Sequence, residues 1–452
     1  MADFAPSSVR ITKAEMSAFN NDTRDILPLI VEINFAQSIS MPSWQGSCKV
    51  LDTIGLLEHW PIRGEESLEL ELIGDDLNTK WNLDCQVYKI DDVEPNEAAT
   101  GLFYTMHFIS KISYEASKRK IIESYSKIKA SDSAKRIFEK YYNQKLNPST
   151  EDTTQAENET LNFDIKKYDV GNTSGRRKMY IQPSEGQLKV IIPNLSPQAA
   201  IDFLAIRSYS NQSPSCMFRF FETISNFYYM TDEALIKRAT DNQYQIKRLS
   251  YGAVATRDPT QPISQVETIE KMVNPSRINL TTDLFEGGYK NRAIEIDLVR
   301  RNATYRNFDY TDKGGFIDME GKIRKMRDDS HSEDFISDTF TNENAKRYIT
   351  VRDFQQPGSI SGGLRSEQYF TEIISNRMAH SHHMNRLAVT AALTGRIDIE
   401  PGQVVQVDAR EMTSVRNQED NDKLSGNYLV YATNHAIVTG NCNTELVLVK
   451  YD

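Results

Sequence analysis

Between residues 29 and 110 the chain alternates apolar and polar side chains with a period of two. Leu29, Val31 and Ile33 interleave with Ile30, Glu32 and Asn34, and Leu68, Leu70 and Leu72 with Glu69, Glu71 and Ile73. Such a pattern buries one face of a strand and wets the other. Val87, Tyr88 and Ile90, then Phe103 to Ile109, supply further strands, and Gly46, Gly55, Gly64 and Gly74 punctuate the region every nine or ten residues. That spacing fits an antiparallel sandwich or barrel rather than βαβ units.

The period changes near residue 115. Ser131 or Asp132 is placed to cap a helix whose apolar positions Ala134, Ile137, Phe138, Tyr141 and Tyr142 follow helical spacing. An acidic loop follows over 147–160, with Glu151, Asp152, Glu157 and Glu159. Ser196-Pro197 reads as a cap followed by proline at the first helical position, with Ala200, Ile201, Leu204 and Ala205 as the buried stripe. Phe218 to Tyr229 reads as an aromatic hairpin, and Thr231-Asp232-Glu233 starts a short helix. Residues 286–369 read as an irregular insertion with strands at 293–299 and 348–354, closed by a flexible Pro357–Gly363 connector. Phe370, Ile373, Ile374 and Arg377 mark a helix face, and Leu387, Val389, Ala391 and Leu393 return to period two.

Composition narrows the function. A chain of 452 residues, 39% hydrophobic, exceeds one ordinary core and implies two to four domains. No apolar run is long enough for a membrane helix, and the first ten residues lack signal-peptide character, so folding in a cytoplasm is expected. Cys48, Cys85, Cys216 and Cys442 have no paired spacing and read as buried thiols. A net charge of −10 argues against a basic nucleic-acid footprint, and the basic runs Arg176-Arg177-Lys178 and Lys322–Arg327 read as solvated surface.

No catalytic, cofactor or metal motif emerges. Ile360 occupies the centre of Gly358–Gly362, where a nucleophile elbow needs serine. His380, His382 and His383 lack a nearby cysteine or a carboxylate at ligand spacing, and read as a solvated or interface cluster. His435 reads as a hydrogen-bonded histidine near a sheet edge. Glu65-Glu66 and Asp75-Asp76 fall at strand ends or turns, and no phosphate-cradling glycine loop follows a strand.

The order of short motifs along the chain carries a resemblance. The first region has Gln37-Ser38-Ile39, Gly46, Asp52 with Gly55-Leu56-Leu57, and Pro61-Ile62-Arg63-Gly64-Glu65-Glu66. The middle has Ile192-Pro193-Asn194-Leu195-Ser196-Pro197, Ala205-Ile206-Arg207-Ser208 and Phe220-Phe221-Glu222. The end has Gly395-Arg396-Ile397-Asp398, Pro401-Gly402, Gly426-Asn427-Tyr428-Leu429-Val430 and His435. Together these resemble the baseplate central hub proteins of contractile-tailed phages, which are related to the hub module of type VI secretion spike proteins. Residues 286–365 show no family pattern.

The resemblance implies an α+β, mainly β fold: two tail-tube-like antiparallel β-barrel or sandwich domains with helical and irregular insertions. It implies a tube-like domain over 1–115, an α+β middle domain over 116–242, a second tube-like domain from 243–285 and 370–452, and an insertion over 286–369. It further implies a non-enzymatic homotrimer in the virion baseplate, assembled in the host cytoplasm, with no cofactor. Its expected partners are a tail tube protein ring, a central spike trimer and other baseplate subunits. The resemblance implies no membrane contact and genomic DNA passing through the lumen without specific binding, and the negative balance is expected to help that passage. The motif residues carry structural roles. The alternatives are the equivalent hub of a tailocin or type VI-like injection machine, and a tail-associated cell-wall hydrolase.

Overall fold

In the computed structural model, the described residues are 9–60, 62–74, 79–96, 101–148, 165–171, 177–210, 212–213, 215–240, 246–252, 267–273, 290–298, 301–309, 315–317, 323–325, 346–351, 373–386, 388–409, 424–438 and 441–451. The fold is mainly β. Its first unit comprises β1 (Val9–Ser17), β2 (Thr23–Asp25), β3 (Ile30–Ser38), β4 (Gln45–Asp52), β5 (Ser67–Gly74), β6 (Thr79–Pro95) and β7 (Leu102–Ser110). They pair antiparallel in the order β2-β1-β5-β6-β7-β4-β3. The alternation read in the sequence sends Ile33 and Phe35, Cys48 and Val50, Leu68 to Leu72, and Tyr104 to Phe108 into one core with Trp44 and Trp81. A short helix, α1 (Leu56–His59), closes one end.

The middle of the chain has α2 (Lys111–Ser117), β8 (Ile121–Ile128), α3 (Ala130–Tyr141), β9 (Leu146–Pro148), β10 (Lys166–Val170), β11 (Lys178–Ile181), β12 (Leu188–Leu195), α4 (Pro197–Ile206), β13 (Phe218–Glu222), β14 (Asn226–Thr231) and α5 (Asp232–Thr240). The hairpin β13–β14 continues through β11 and β10 to β9 in a five-stranded sheet. One face of this sheet packs Phe220 and Phe227 against Phe138 and Tyr142 of the helical layer. The other sends Tyr180, Phe221, Tyr228 and Met230 towards the C-terminal strands. Burial on both faces explains why Phe220-Phe221 and Phe227–Met230 are apolar at successive positions without alternation. The side-chain oxygen of Ser196 caps α4, accepting from the Ala199 amide at 3.3 Å, with Pro197 first in the helix. For α3 the expected cap is displaced: Lys129 occupies the N-cap, and Ser131 and Asp132 lie inside the first turn.

The C-terminal unit is a closed barrel. It is built from β15 (Lys247–Tyr251), β16 (Thr268–Val273), β22 (Ala388–Thr394), β23 (Val404–Ala409), β24 (Gly426–Val438) and β25 (Asn441–Lys450). The ring runs β24-β23-β15-β16-β22-β25 and returns to β24. Only β15 runs parallel to its neighbours, β16 and β23. Every strand contributes to the interior, including Leu249, Ile269, Ala391, Val407, Tyr428 and Leu446. A helix, α6 (Ser375–Arg386), leads into β22. Between the barrel's first and later strands, β17 (Lys290–Asp297) pairs with β18 (Asn302–Asp309) and β21 (Lys346–Val351), and β19 (Gly315–Ile317) with β20 (Ile323–Lys325).

The two β units share one strand. The first part of β24 pairs with β23 inside the barrel, while Ala432–Val438 pairs with Ser38–Glu32 of β3. All four cysteines are buried and free. No helix among the described residues is long and apolar enough to cross a membrane.

Candidate functional site

Among the described residues, a dense cluster of buried polar groups lies where the middle sheet meets both β units. Glu222, at the end of β13, has a fully buried side chain. It accepts from Ser43 Oγ at 2.8 Å, Ser110 Oγ at 2.5 Å and Ser113 Oγ, which belong to the first unit and α2. Arg177 donates to it at 2.7 Å and to the Thr223 carbonyl oxygen at 2.7 Å, its guanidinium lying over the Phe227 ring. Arg177 is therefore an ion-paired joint, not part of the solvated run expected from its neighbours. A charge this deep persists only when its lone pairs are filled, which three hydroxyls and an arginine accomplish.

The hairpin turn after Glu222 makes the second half of the joint. Glu400, from the turn before β23, accepts from Thr223 Oγ1 at 3.0 Å and Ser225 Oγ at 2.7 Å. Burial pushes its pKa up, against the opposing pull of those two hydroxyls. The Ile224 amide donates to the Gln37 side chain of β3 at 3.0 Å. One hairpin turn thus touches β3, α2 and the barrel.

A third contact fixes α6. Asp232, at the start of α5, is bound by Arg219 Nε at 2.8 Å and by His380 Nε2 at 3.0 Å. Burial opposes its charge, but Arg219 and His380 outweigh that penalty and hold its pKa down to about 2. His380 is buried, which corrects its reading as a solvated or interface residue. Arg377, one turn earlier, donates to the carbonyl oxygens of Ile206 and Cys216. Nearby in the barrel, Asp398 pairs with Lys247 at 2.8 Å and Arg396 at 2.7 Å. Burial lowers the Lys247 pKa despite this partner.

The motif residues of the first unit shape its turns. Gly46 lies under Phe108: an added Cβ would sit 2.2 Å from that ring. Asp52 is buried and accepts the Ile54 and Leu57 amides at 3.1 and 2.9 Å, starting α1. Pro61 lies outside the described residues, and Ile62 packs on the first core. Gly64 adopts φ +84°, and its amide and that of Arg63 point at the carboxylate of Glu66. The glutamate that holds this turn is the buried Glu66, while the adjacent Glu65 is exposed. Adjacent acids cannot be ranked by a motif; only strand parity separates them.

In the middle and C-terminal motifs, Pro193 and Asn194 end β12, Asn194 with φ +48°, and Pro197 starts α4. Pro401 and Gly402 form the tight turn before β23. Gly402 has φ +83°, and an added Cβ would meet Phe221 and Leu235 at 3.1 and 3.3 Å. Gly426 opens β24. His435 is fully buried in mid-sheet, β24 being flanked there by β3 and β25, so the expected edge position is corrected. Its Nδ1 lies 3.0 Å from Thr444 Oγ1, which donates onward to the Arg396 carbonyl oxygen. The imidazole is therefore the Nδ1–H tautomer, with Nε2 left unpaired beside Trp81.

The motif residues are spread over several turns and are not gathered into one pocket. Among the described residues no group of three or more His, Cys, Asp or Glu is arranged to hold a metal. The loop after Pro148 with Glu151 to Glu159, the Pro357–Gly363 connector, Phe370 and Leu387 lie outside the described residues.

Comparison with solved structures places the architecture. The chain superposes on a tail protein from Neisseria meningitidis MC58 with a TM-score of 0.51, at 10% identity, over 97% of this chain and 96% of that one. The chain has the fold of this tail protein. The 43 kDa tail protein of prophage MuSo2 from Shewanella oneidensis matches at TM-score 0.47 and 9% identity, over 97% of both chains. An E. coli type VI secretion component matches at TM-score 0.40 and 6% identity, over 98% of this chain and 77% of that one. No family model and no curated protein matches the sequence. The superposition on the Neisseria meningitidis tail protein extends over essentially the whole chain.

Proposed function

We propose that this chain is the central hub of a contractile-tail baseplate, acting as a structural protein. The observation that carries the reading is the pairing of a six-stranded closed barrel with the seven-stranded antiparallel sheet of the first unit through β3 and β24, in a chain that superposes on a tail protein over 97% of its length. In this reading residues 1–115 and 243–285 with 370–452 are the two tube-like domains. Residues 116–242 are the clamp between them, and 286–369 an insertion. The motif residues, Gly46, Asp52, Pro61, Ile62, Gly64, Glu65, Pro193, Asn194, Pro197, Pro401, Gly402, Gly426 and His435, serve as structural fixtures.

Three such chains supply six similar β units. A ring of six units on a threefold axis matches a sixfold tail tube on one side and a threefold spike on the other, and closed rings require heterologous contacts that return on themselves. The partners are then the tube ring, the spike trimer and other baseplate subunits, with DNA passing the lumen. The purified chain, alone or with a candidate spike, should scatter light with three times the 51.6 kDa chain mass. A species that stays a single chain with every tail partner would overturn the hub reading.

A further inference from the structure

Different parts of the continuous sheet present different surfaces. On β1, β5 and β6 the outward side chains form a charged ladder: Lys13 pairs with Glu15 and Glu69 at 3.0 and 2.8 Å, and Lys80 with Glu71 at 2.9 Å. This is an ordinary solvated exterior. Further along, the sheet runs β7-β4-β3-β24-β25-β22, crossing from the first unit into the barrel. Directly opposed residues share a face, so one outward row reads His107, Ser47, Asn34, Ala436, Asn443, Thr394. The neighbouring row reads Ile109, Gln45, Ala36, Asn434, Glu445, Ala392, with Glu445 its one charge. Asn434, Asn443 and Glu445 are exposed and the others half-exposed.

At ~4.8 Å per strand this band is about 24 Å wide. Its two rows hold no Lys or Arg to grip phosphate. They hold no Tyr, Trp, Phe, Met or Arg, the side chains that anchor protein interfaces. Charges at its margins are partnered: Asp91 binds Lys89 and the His107 ring nitrogen, the latter at 2.9 Å, exposed Lys49 stands opposite Glu32, and Glu270 takes the Thr394 hydroxyl.

We propose that this band is the channel wall, a non-adhesive lining without lysine or arginine for DNA in transit. The inference rests on the ring reading above and says which face of the chain points inward. Because every native thiol is buried, single cysteines can report it. Asn434→Cys and Asn443→Cys probe the band, and Asn82→Cys probes the charged exterior on β6. Each is treated with N-ethylmaleimide and with a maleimide carried on a polymer wider than the channel.

In hubs of verified trimer mass, the band cysteines should take the small reagent and exclude the polymer, while Asn82→Cys takes both. Two results in a verified trimer would overturn the assignment. Band cysteines open to both reagents would face outward, and band cysteines closed to both would lie between subunits. A sample that remains a single chain with its tail partners overturns the ring reading and this inference together. The mass measurement distinguishes that failure from a wrongly assigned face.

Discussion

His435 turns a packing detail into a pH dependence. Its ring is fully buried, Nδ1–H is committed to Thr444, and burial pushes its pKa from 6.5 down to about 4. The unfolded chain therefore binds a proton at a higher pH than the folded one. The stability contributed by the neutral ring is complete above pH 6.5 and declines as pH falls towards about 4, by at most ~3 kcal/mol. Glu400 acts with the opposite sign, since its raised pKa favours the folded state as it protonates. The difference between wild type and His435→Gln isolates the histidine. Urea midpoints from pH 7 to 4.5 should show wild type losing stability relative to the variant, and a constant difference would refute the assignment. Neither tautomer nor depth was legible in the sequence, because the Thr444 hydroxyl reaches His435 only through the pairing of β24 with β25. The four buried cysteines were legible, since unpaired spacing already argued against disulfides and zinc.

The elements of the middle region are held by side chains that cross from one to the next. Arg219 on β13, Asp232 on α5 and His380 on α6 form a single buried group. Removing the charge of Asp232 leaves Arg219 buried without its counter-ion, which typically costs ~3–5 kcal/mol. Asp232→Asn should therefore lower the urea midpoint substantially with an unchanged slope; a change under about 0.5 kcal/mol would show that the group is solvated. Local signals revealed many of these elements. Ser196-Pro197 marks the start of α4, the aromatic run marks β13 and β14, and Thr231 accepts from the Ala234 amide at the start of α5. The sequence was silent where long-range contacts decide. The Asn302–Asp309 strand is too polar to show a buried period. The basic run at 176–178 gives no hint that Arg177 turns inward to Glu222, and His380 looks solvated until Asp232 is placed beside it.

Across the whole molecule, the two β units are tied twice: through the β3–β24 ladder, and through the hairpin turn linking Glu222, Gln37 and Glu400. They should unfold together. All three tryptophans, Trp44, Trp60 and Trp81, lie in the core of the first unit, Trp81 against His435 of β24, so their emission reports that core while far-ultraviolet circular dichroism reports the whole. Coincident midpoints by the two probes are expected, and an earlier tryptophan transition would show that the units melt independently. The overall β architecture was visible in period-two runs. The way two units fuse through one strand was not, because β24 shows the same alternation whichever neighbour it joins. That strand has a mechanical meaning. Drawn along its own axis, β24 sets its hydrogen bonds to β3 and β25 in shear, where many must rupture at once. Pulled sideways, it would peel one bond at a time. The joint is thus strong in one direction and weak in another, and a force transmitted along the strand would be carried by the whole ladder.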